Sequence, residues 1–189
     1  MGVGSVPGGI SGAMNKYIIW GYSTNQHLLI DADNKTLKQA IWLGRFVQNT
    51  WPVGDCLVLK SSERKEDFIY FYNAEDNVFG IAHVRPESYH LVFDAIIGWS
   101  EIKRIIYELV EMGIISREFY EFRLWRNDLT LRISGKVCDN GKVCAPPRPV
   151  AYLEVSYGYK RGGIEMYVNT LQALLNGKTY IPPVPVQCR

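Results

Sequence analysis

The chain has 189 residues, 47% of them apolar, with 21 basic against 19 acidic side chains and a formal charge of +2. That is enough for one compact domain with a small extension. The near-neutral balance neither requires nor forbids a nucleic-acid partner, since a local groove can be basic on a neutral whole, and no apolar run approaches the roughly 20 residues of a membrane helix.

The N-terminal MGVGSVPGGISGAMNK lacks the basic start and apolar core of a secretory signal. Residues 1–15 read as a flexible lead, and an intracellular (cytoplasmic) chain is expected. Lys16 to Tyr22 can form an extra or edge strand, with a turn from Gly21 to Gln26. His27 to Asp33 is the next strand, in the run HLLIDADN. Side chains alternate along a strand, so Asp31 and Asp33 share one face and Ala32 takes the other. Two carboxylates so spaced can hold Mg²⁺ together with substrate phosphate; the same residues can equally form a turn or cap the next helix.

The run TLKQAIWLGRFVQNTW opens with Thr36 and Gln39 at capping-box spacing and carries an apolar stripe through Leu37, Ala40, Ile41, Leu43, Gly44 and Val47. A helix therefore follows the acidic strand directly. Cys56 to Leu59 reads as a strand, SSERKED as a polar turn, and FIYFY with VFGIAHV as a hairpin joined at 73–77. Ser88 to Asp94 is a strand on which Ser88 and His90 share a face. Gly98 to Met112 reads as a helix, with Ser100 a possible cap, a buried side from Ile102 to Val110, and Gly113 at its end.

Ser116 to Tyr120 reads as a short helical turn, Glu121 to Trp125 as a strand, Arg126 to Asp128 as a turn and Leu129 to Ile133 as a strand. Residues 137–149 look like loop, Ala151 to Tyr159 like a strand, and Ile164 to Leu175 like a helix, although Glu165 to Val168 also has strand character. The tail IPPVPVQCR reads as extended. Of the four cysteines, Cys56 suits a core. Cys138 and Cys144 flank DNGKV closely enough to form a disulfide or share a metal, but no second pair completes a zinc set. His83 suits an ordinary strand position better than catalysis. Tyr70, Tyr72, Tyr89 and Trp125 can pack the sheet or stack on bases.

Three patterns taken together, LLIDADN, SYHLVF and NDLTLRIS, resemble the catalytic palm of the archaeo-eukaryotic primase superfamily, which includes the primase–polymerases of archaeal plasmids. The resemblance spans about residues 26–136. It implies an α+β fold: an RNA-recognition-like palm with an antiparallel sheet, helices on one side and additional C-terminal elements. The palm would occupy 16–136, with a C-terminal extension packed on it over 137–180 and a flexible tail over 181–189. It implies Asp31 and Asp33 as catalytic, metal-ligating residues, with Asp128 as the third acid and Glu121 or Asp94 as alternatives to it. Ser88, His90, Arg132 and Lys136 would bind nucleotide, and Mg²⁺ or Mn²⁺ would be the cofactor. The implied activity is metal-dependent nucleotidyl transfer, as in a primase or primase–polymerase. Implied partners are a single-stranded DNA or RNA template, nucleoside triphosphates and a replication helicase or accessory subunit, without a membrane. Two other readings of the same residues are a non-catalytic single-stranded nucleic-acid-binding module and a metal-dependent nuclease.

Overall fold

A computed structural model describes residues 21–62, 68–73, 78–83, 87–134, 136–137, 143–144 and 146–174. The elements run β1 (Gly21–Thr24), β2 (Leu29–Lys35), α1 (Leu37–Thr50), β3 (Cys56–Ser62), β4 (Phe68–Asn73), β5 (Val78–His83), β6 (Glu87–Phe93), α2 (Trp99–Glu111), α3 (Arg117–Arg126), β7 (Leu129–Arg132), β8 (Lys136–Val137), β9 (Val143–Cys144), β10 (Arg148–Leu153) and α4 (Gly163–Leu174). The fold is mixed α+β, built on an antiparallel sheet with helices on one side. Its four strands lie in the order β10-β3-β6-β2, and β1 with β7, β4 with β5, and β8 with β9 form separate antiparallel pairs. Among the described residues, no helix is long and apolar enough to cross a membrane.

The register assigns each face of the main sheet. Ile30 lies opposite Leu91 and Ala32 opposite Tyr89, while Val58 pairs with Leu91 and Cys56 with Phe93. These side chains form one face. Helix α1 packs across all four strands, and Gly44 makes that approach possible. A Cβ at Gly44 would come within 2.7 Å of Leu153 Cδ1, and within 3.5 Å of Cys56 Sγ and Leu91 Cδ2. The other face carries Leu29, Asp31 and Asp33 from β2, Ser88, His90 and Val92 from β6, and Leu57 and Leu59 from β3. Strand β7 packs against β2.

Local chemistry explains the start of α1. Thr36 accepts from the Gln39 amide at 3.2 Å while the Gln39 side chain accepts from the Thr36 amide at 2.9 Å, which completes the expected capping box. Helix α2 buries Ile102, Ile105, Ile106, Leu109 and Val110, as its periodicity predicts. Its N-cap, however, is Gly98, with no side-chain bond, so Ser100 does not cap it. Gly113 adopts φ +73° just past the helix, a conformation that costs glycine little.

Several elements differ from expectation. Gly21 to Thr24 is not a turn: it pairs in register with Arg132 to Leu129. Glu121 to Trp125 is not a strand but the second half of α3, continuous from Arg117. The stretch expected as loop over 137–149 contains two short paired strands, with Lys136 opposite Cys144. Strand β10 ends at Leu153 rather than Tyr159, and α4 is helical through Glu165 to Val168. Residues 1–20 and 175–189, most of SSERKED, and Cys138 lie outside the described residues, as do the side chains of Tyr70, Tyr72, His83, Lys136 and Cys144.

Candidate functional site

Asp31 and Asp33 both project from the face of β2 that is turned away from α1. Their immediate partners come from β6, the neighbouring strand. His90 is the cross-strand partner of Asp31, and its Nε2 stands 3.8 Å from Asp31 Oδ1. That distance is too long for a hydrogen bond and suits an ion pair if the ring is protonated. The Ser88 hydroxyl donates to Asp33 Oδ1 at 2.6 Å. Ser88 and His90 are buried, the latter only 4% exposed, while Asp31 keeps 37% of its side chain in solvent and Asp33 is exposed. Two carboxylates therefore reach solvent from a floor of buried polar groups.

The backbone helps to aim them. The β2–β6 register slips between Ala32 and Lys35, and Asn34 adopts φ +54°. A bulge with a left-handed Asn bends its strand and redirects the side chains beside it. The Asp33–Ser88 bond spans this irregularity.

Two arginines act electrostatically on Asp31 from outside the main sheet. Arg132, on β7, donates to the carbonyls of Ser61 and Ser134, which pins its guanidinium between β3 and the end of β7. Burial lowers its pKa, and the negative charge of Asp31 works in the opposite direction. Arg123, on α3, donates to Thr130 O at 3.4 Å. Burial lowers its pKa too; Asp128 opposes that shift, Arg126 adds to it, and Asp31 opposes it. Both arginines thus lie within electrostatic reach of Asp31, half withdrawn from water, where a charge acts more strongly than at an open surface.

Asp128 stands apart. It precedes β7, accepts from Thr130 Oγ1 at 3.4 Å and lies 3.6 Å from Arg126 Nε. It also lines a pocket of about 410 Å³ with Thr24, Asn25, Gln26, Arg126 and Asn127. Among the described residues, no group of three or more His, Cys, Asp or Glu side chains is arranged to hold a metal ion. Of the alternatives for the third acid, Glu121 is exposed on α3. Asp94 lies beyond the far end of β6, where it accepts from Tyr159 Oη at 2.7 Å, Ile164 N at 3.0 Å and Gly162 N at 3.3 Å. Those three donors tie it to the start of α4. The backbone at Lys136 lies in β8.

Arg123 was not legible as a site residue, because aromatic residues gave its segment the look of a strand. Charge was the signal for a helix. Glu118 sits in the first turn of α3, and Arg123 and Arg126 in the last, the polarity a helix dipole favours. Tyr89, expected as a possible stacking group, is buried and donates to Glu87 Oε2 at 2.6 Å, whereas Trp125 is 80% exposed.

A divalent ion is compatible with this donor set. Mg²⁺ is commonly held by one or two carboxylates, with water and substrate phosphate completing its shell, and Asp31 and Asp33 offer oxygens from one face toward solvent. No protein-family model, curated protein or solved structure matches the chain.

Proposed function

We propose that the protein is a metal-dependent nucleotidyltransferase of the primase or primase–polymerase kind, acting at the Asp31–Asp33 pair. The observation that carries the proposal is a pair of solvent-facing carboxylates set over buried Ser88 and His90, with the charges of Arg123 and Arg132 within electrostatic reach of Asp31. Phosphoryl transfer needs this combination. Carboxylate oxygen holds a divalent ion, and fixed cations oppose the charge that builds on the phosphates.

The order of the elements supports the same reading. Strand β2, α1, β3, then β6, α2 and β7 follow the β-α-β-β-α-β sequence of the split βαβ family. Strand β6 lies between β2 and β3, and β7 packs beside β2. The β4–β5 hairpin and α3 are then additions to an RNA-recognition-like palm.

Asp31 and Asp33 would hold Mg²⁺ or Mn²⁺, which when bound supplies positive charge at the reacting phosphate and assists attack by a hydroxyl. Ser88 fixes the orientation of Asp33, and His90 backs Asp31. Being buried, these two position the carboxylates rather than reach for a triphosphate. Arg132 and Arg123 are the groups suited to phosphate. Asp128 is tied to Arg126, and the proposal does not require it as a third acid. Lys136, on β8, remains the expected second cation of the run TLRISGK. The substrates would be nucleoside triphosphates and a single-stranded template.

A primer-extension assay tests the proposal. With a primed single-stranded template, nucleoside triphosphates and Mg²⁺ or Mn²⁺, the chain should lengthen the primer. Asp31→Asn and Asp33→Asn should each lower the rate at least about 100-fold without a change in unfolding midpoint. Extension that survives the double substitution would sink the proposal.

A further inference from the structure

Helix α3 presents a face that the fold does not use. Phe122 and Trp125 are both exposed, Trp125 by 80%, and they lie together with ring centroids 6.4 Å apart. They stand three residues apart on a helix, so they share a face, and Arg126 follows Phe122 by four on the same side. The Arg123 guanidinium carbon lies 5.2 Å from the Phe122 centroid and that of Arg126 5.9 Å. The helix dipole accounts for two arginines in a last turn. It does not account for a Trp left in water beside them.

This face adjoins both other features of the molecule. Arg126 reaches Asp128 at 3.6 Å and, with it, lines the pocket of about 410 Å³. Arg123 lies within the electrostatic field of Asp31. Ring faces flanked by guanidinium groups provide what an unpaired strand requires: planar surfaces for bases and fixed cations for the intervening phosphates. Glu118 and Glu121 lie nearer the start of α3, where Arg117 is paired with Glu111 at 2.8 Å, so the cations beside the aromatic pair are Arg123 and Arg126 at the end of the helix near the pocket.

We infer that the C-terminal half of α3 is a binding platform for single-stranded nucleic acid, with bases stacked on Phe122 and Trp125 and phosphates held by Arg126. The inference deepens the proposed function by assigning a surface to its template, but the platform can work without catalysis.

The test is fluorescence anisotropy of labelled oligo(dT) and oligo(rU), each 20 nucleotides long, with the full chain at low and moderate salt. Trp125→Ala and Phe122→Ala should each weaken binding about tenfold, and Arg126→Gln should flatten the salt dependence. Phe122 and Trp125 are exposed, so the unfolding midpoint of those two variants should hold. Trp42→Ala serves as the control: Trp42 is also exposed, but on α1, stacked on Phe46, and its loss should leave binding unchanged. Equal effects at Trp42 and Trp125, or none at Trp125, would overturn the inference. So would sedimentation showing that the wild type binds neither oligonucleotide yet self-associates through Trp125. Asp31→Asn with Asp33→Asn should retain binding. Trp125-dependent binding without primer extension would therefore support the platform and count against the catalyst, and primer extension with binding indifferent to Trp125 would do the reverse.

Discussion

Strand β6 joins two carboxylate sites of opposite character. Toward its start, Ser88 and His90 sit under Asp31 and Asp33, which face solvent. Just past its end, Asp94 lies beside Asp55, with Asp94 N bonded to Asp55 O at 2.9 Å. Asp55 and Asp94 are only 4% and 6% exposed. Asp55 accepts from Tyr152 Oη at 2.8 Å, Val155 N at 2.9 Å and Arg161 Nη1 at 3.1 Å, and Asp94 has its own three donors from Tyr159, Gly162 and Ile164. Arg161 also lies 3.7 Å from Asp94, so one cation serves both acids. Burial, with the carboxylates adding to it, pushes the Tyr152 and Tyr159 phenols above their ordinary range, so both stay protonated and donate. The buried pair spends its acceptor capacity on holding residues 152–164 against the sheet. The exposed pair faces solvent, where a ligand can reach it.

The comparison predicts its largest effect at Asp94. Asp94→Ala would strand a phenol and two backbone N–H groups in a buried place, a loss of about 3–5 kcal/mol. Urea unfolding followed by tryptophan fluorescence should show the lower midpoint. A midpoint no lower than that of Asp33→Ala would break the contrast between the two sites.

The next effect depends on pH and comes from His27, packed at the same end as Asp94. Its Nδ1 lies 2.9 Å from Phe93 O, which can only accept, so Nδ1 carries the hydrogen. Its Nε2 lies 2.7 Å from Tyr22 Oη and accepts from that hydroxyl. Neutral imidazole is satisfied at both nitrogens. Burial lowers its pKa from 6.5 to about 4, against smaller upward pulls from the Phe93 carbonyl and the Asp94 charge. In the unfolded chain the ring protonates near 6.5, while in the folded protein it does not until about 4. The unfolded state thus binds the extra proton, and stability is full above pH 6.5 and falls by about 3 kcal/mol between pH 6.5 and 4. His27→Gln should flatten that part of the stability–pH curve even though the variant is weaker at neutral pH.

Gly163 sharpens the same end of the comparison. A Cβ there would stand 2.5 Å from Phe93 O and 2.7 Å from the His27 ring, and neither backbone nor a doubly bonded ring yields readily. Gly163→Ala should cost about 2 kcal/mol by forcing α4 off the sheet, and calorimetry should show a lower melting temperature. At the junction of β2 and α1, Thr36→Ala removes half of the capping box of α1 and should cost about 1 kcal/mol, read as a modest shift in the urea midpoint.

These effects also separate what the sequence declares from what it conceals. The cap at Thr36 and Gln39 was legible because both bonds close within three residues. The shared face of Asp31 and Asp33, and that of Ser88 and His90, followed from the period of a strand, although which strands pair is decided elsewhere. The acid saturated at the end of β6 was not legible. Asp55 passed unread and Asp94 looked like a spare catalytic acid, since their donors lie 65 to 106 residues away in the chain and no local pattern encodes a contact at that range. Strand β10 joins β3 across a similar interval. The second half of helix α3 was concealed for another reason: Phe122 and Trp125 have strand propensity, and the helical context, already legible over Ser116 to Tyr120, prevailed over it. The electrostatic reach of Arg123 to Asp31 was hidden with it.

The smallest stability effect belongs to the exposed pair, and there a null result is informative. In Asp33→Asn the remaining amide oxygen can still accept from Ser88, and one negative charge is removed from a face that carries two. Stability should change by no more than about 0.5 kcal/mol, with slight stabilisation at low salt as the repulsion is relieved. Ligand linkage then separates a binding site from a merely exposed one. A site that binds in the folded state alone raises stability as RT ln(1 + [L]/Kd), about 2.7 kcal/mol at a hundredfold excess over Kd. Mn²⁺ should therefore raise the melting temperature of the wild type, and Asp33→Asn should lose most of that rise while its metal-free melting temperature stays where it was. An equal rise in both proteins would mean that the ion binds elsewhere, and the difference between the two ends of β6 would then be one of burial alone.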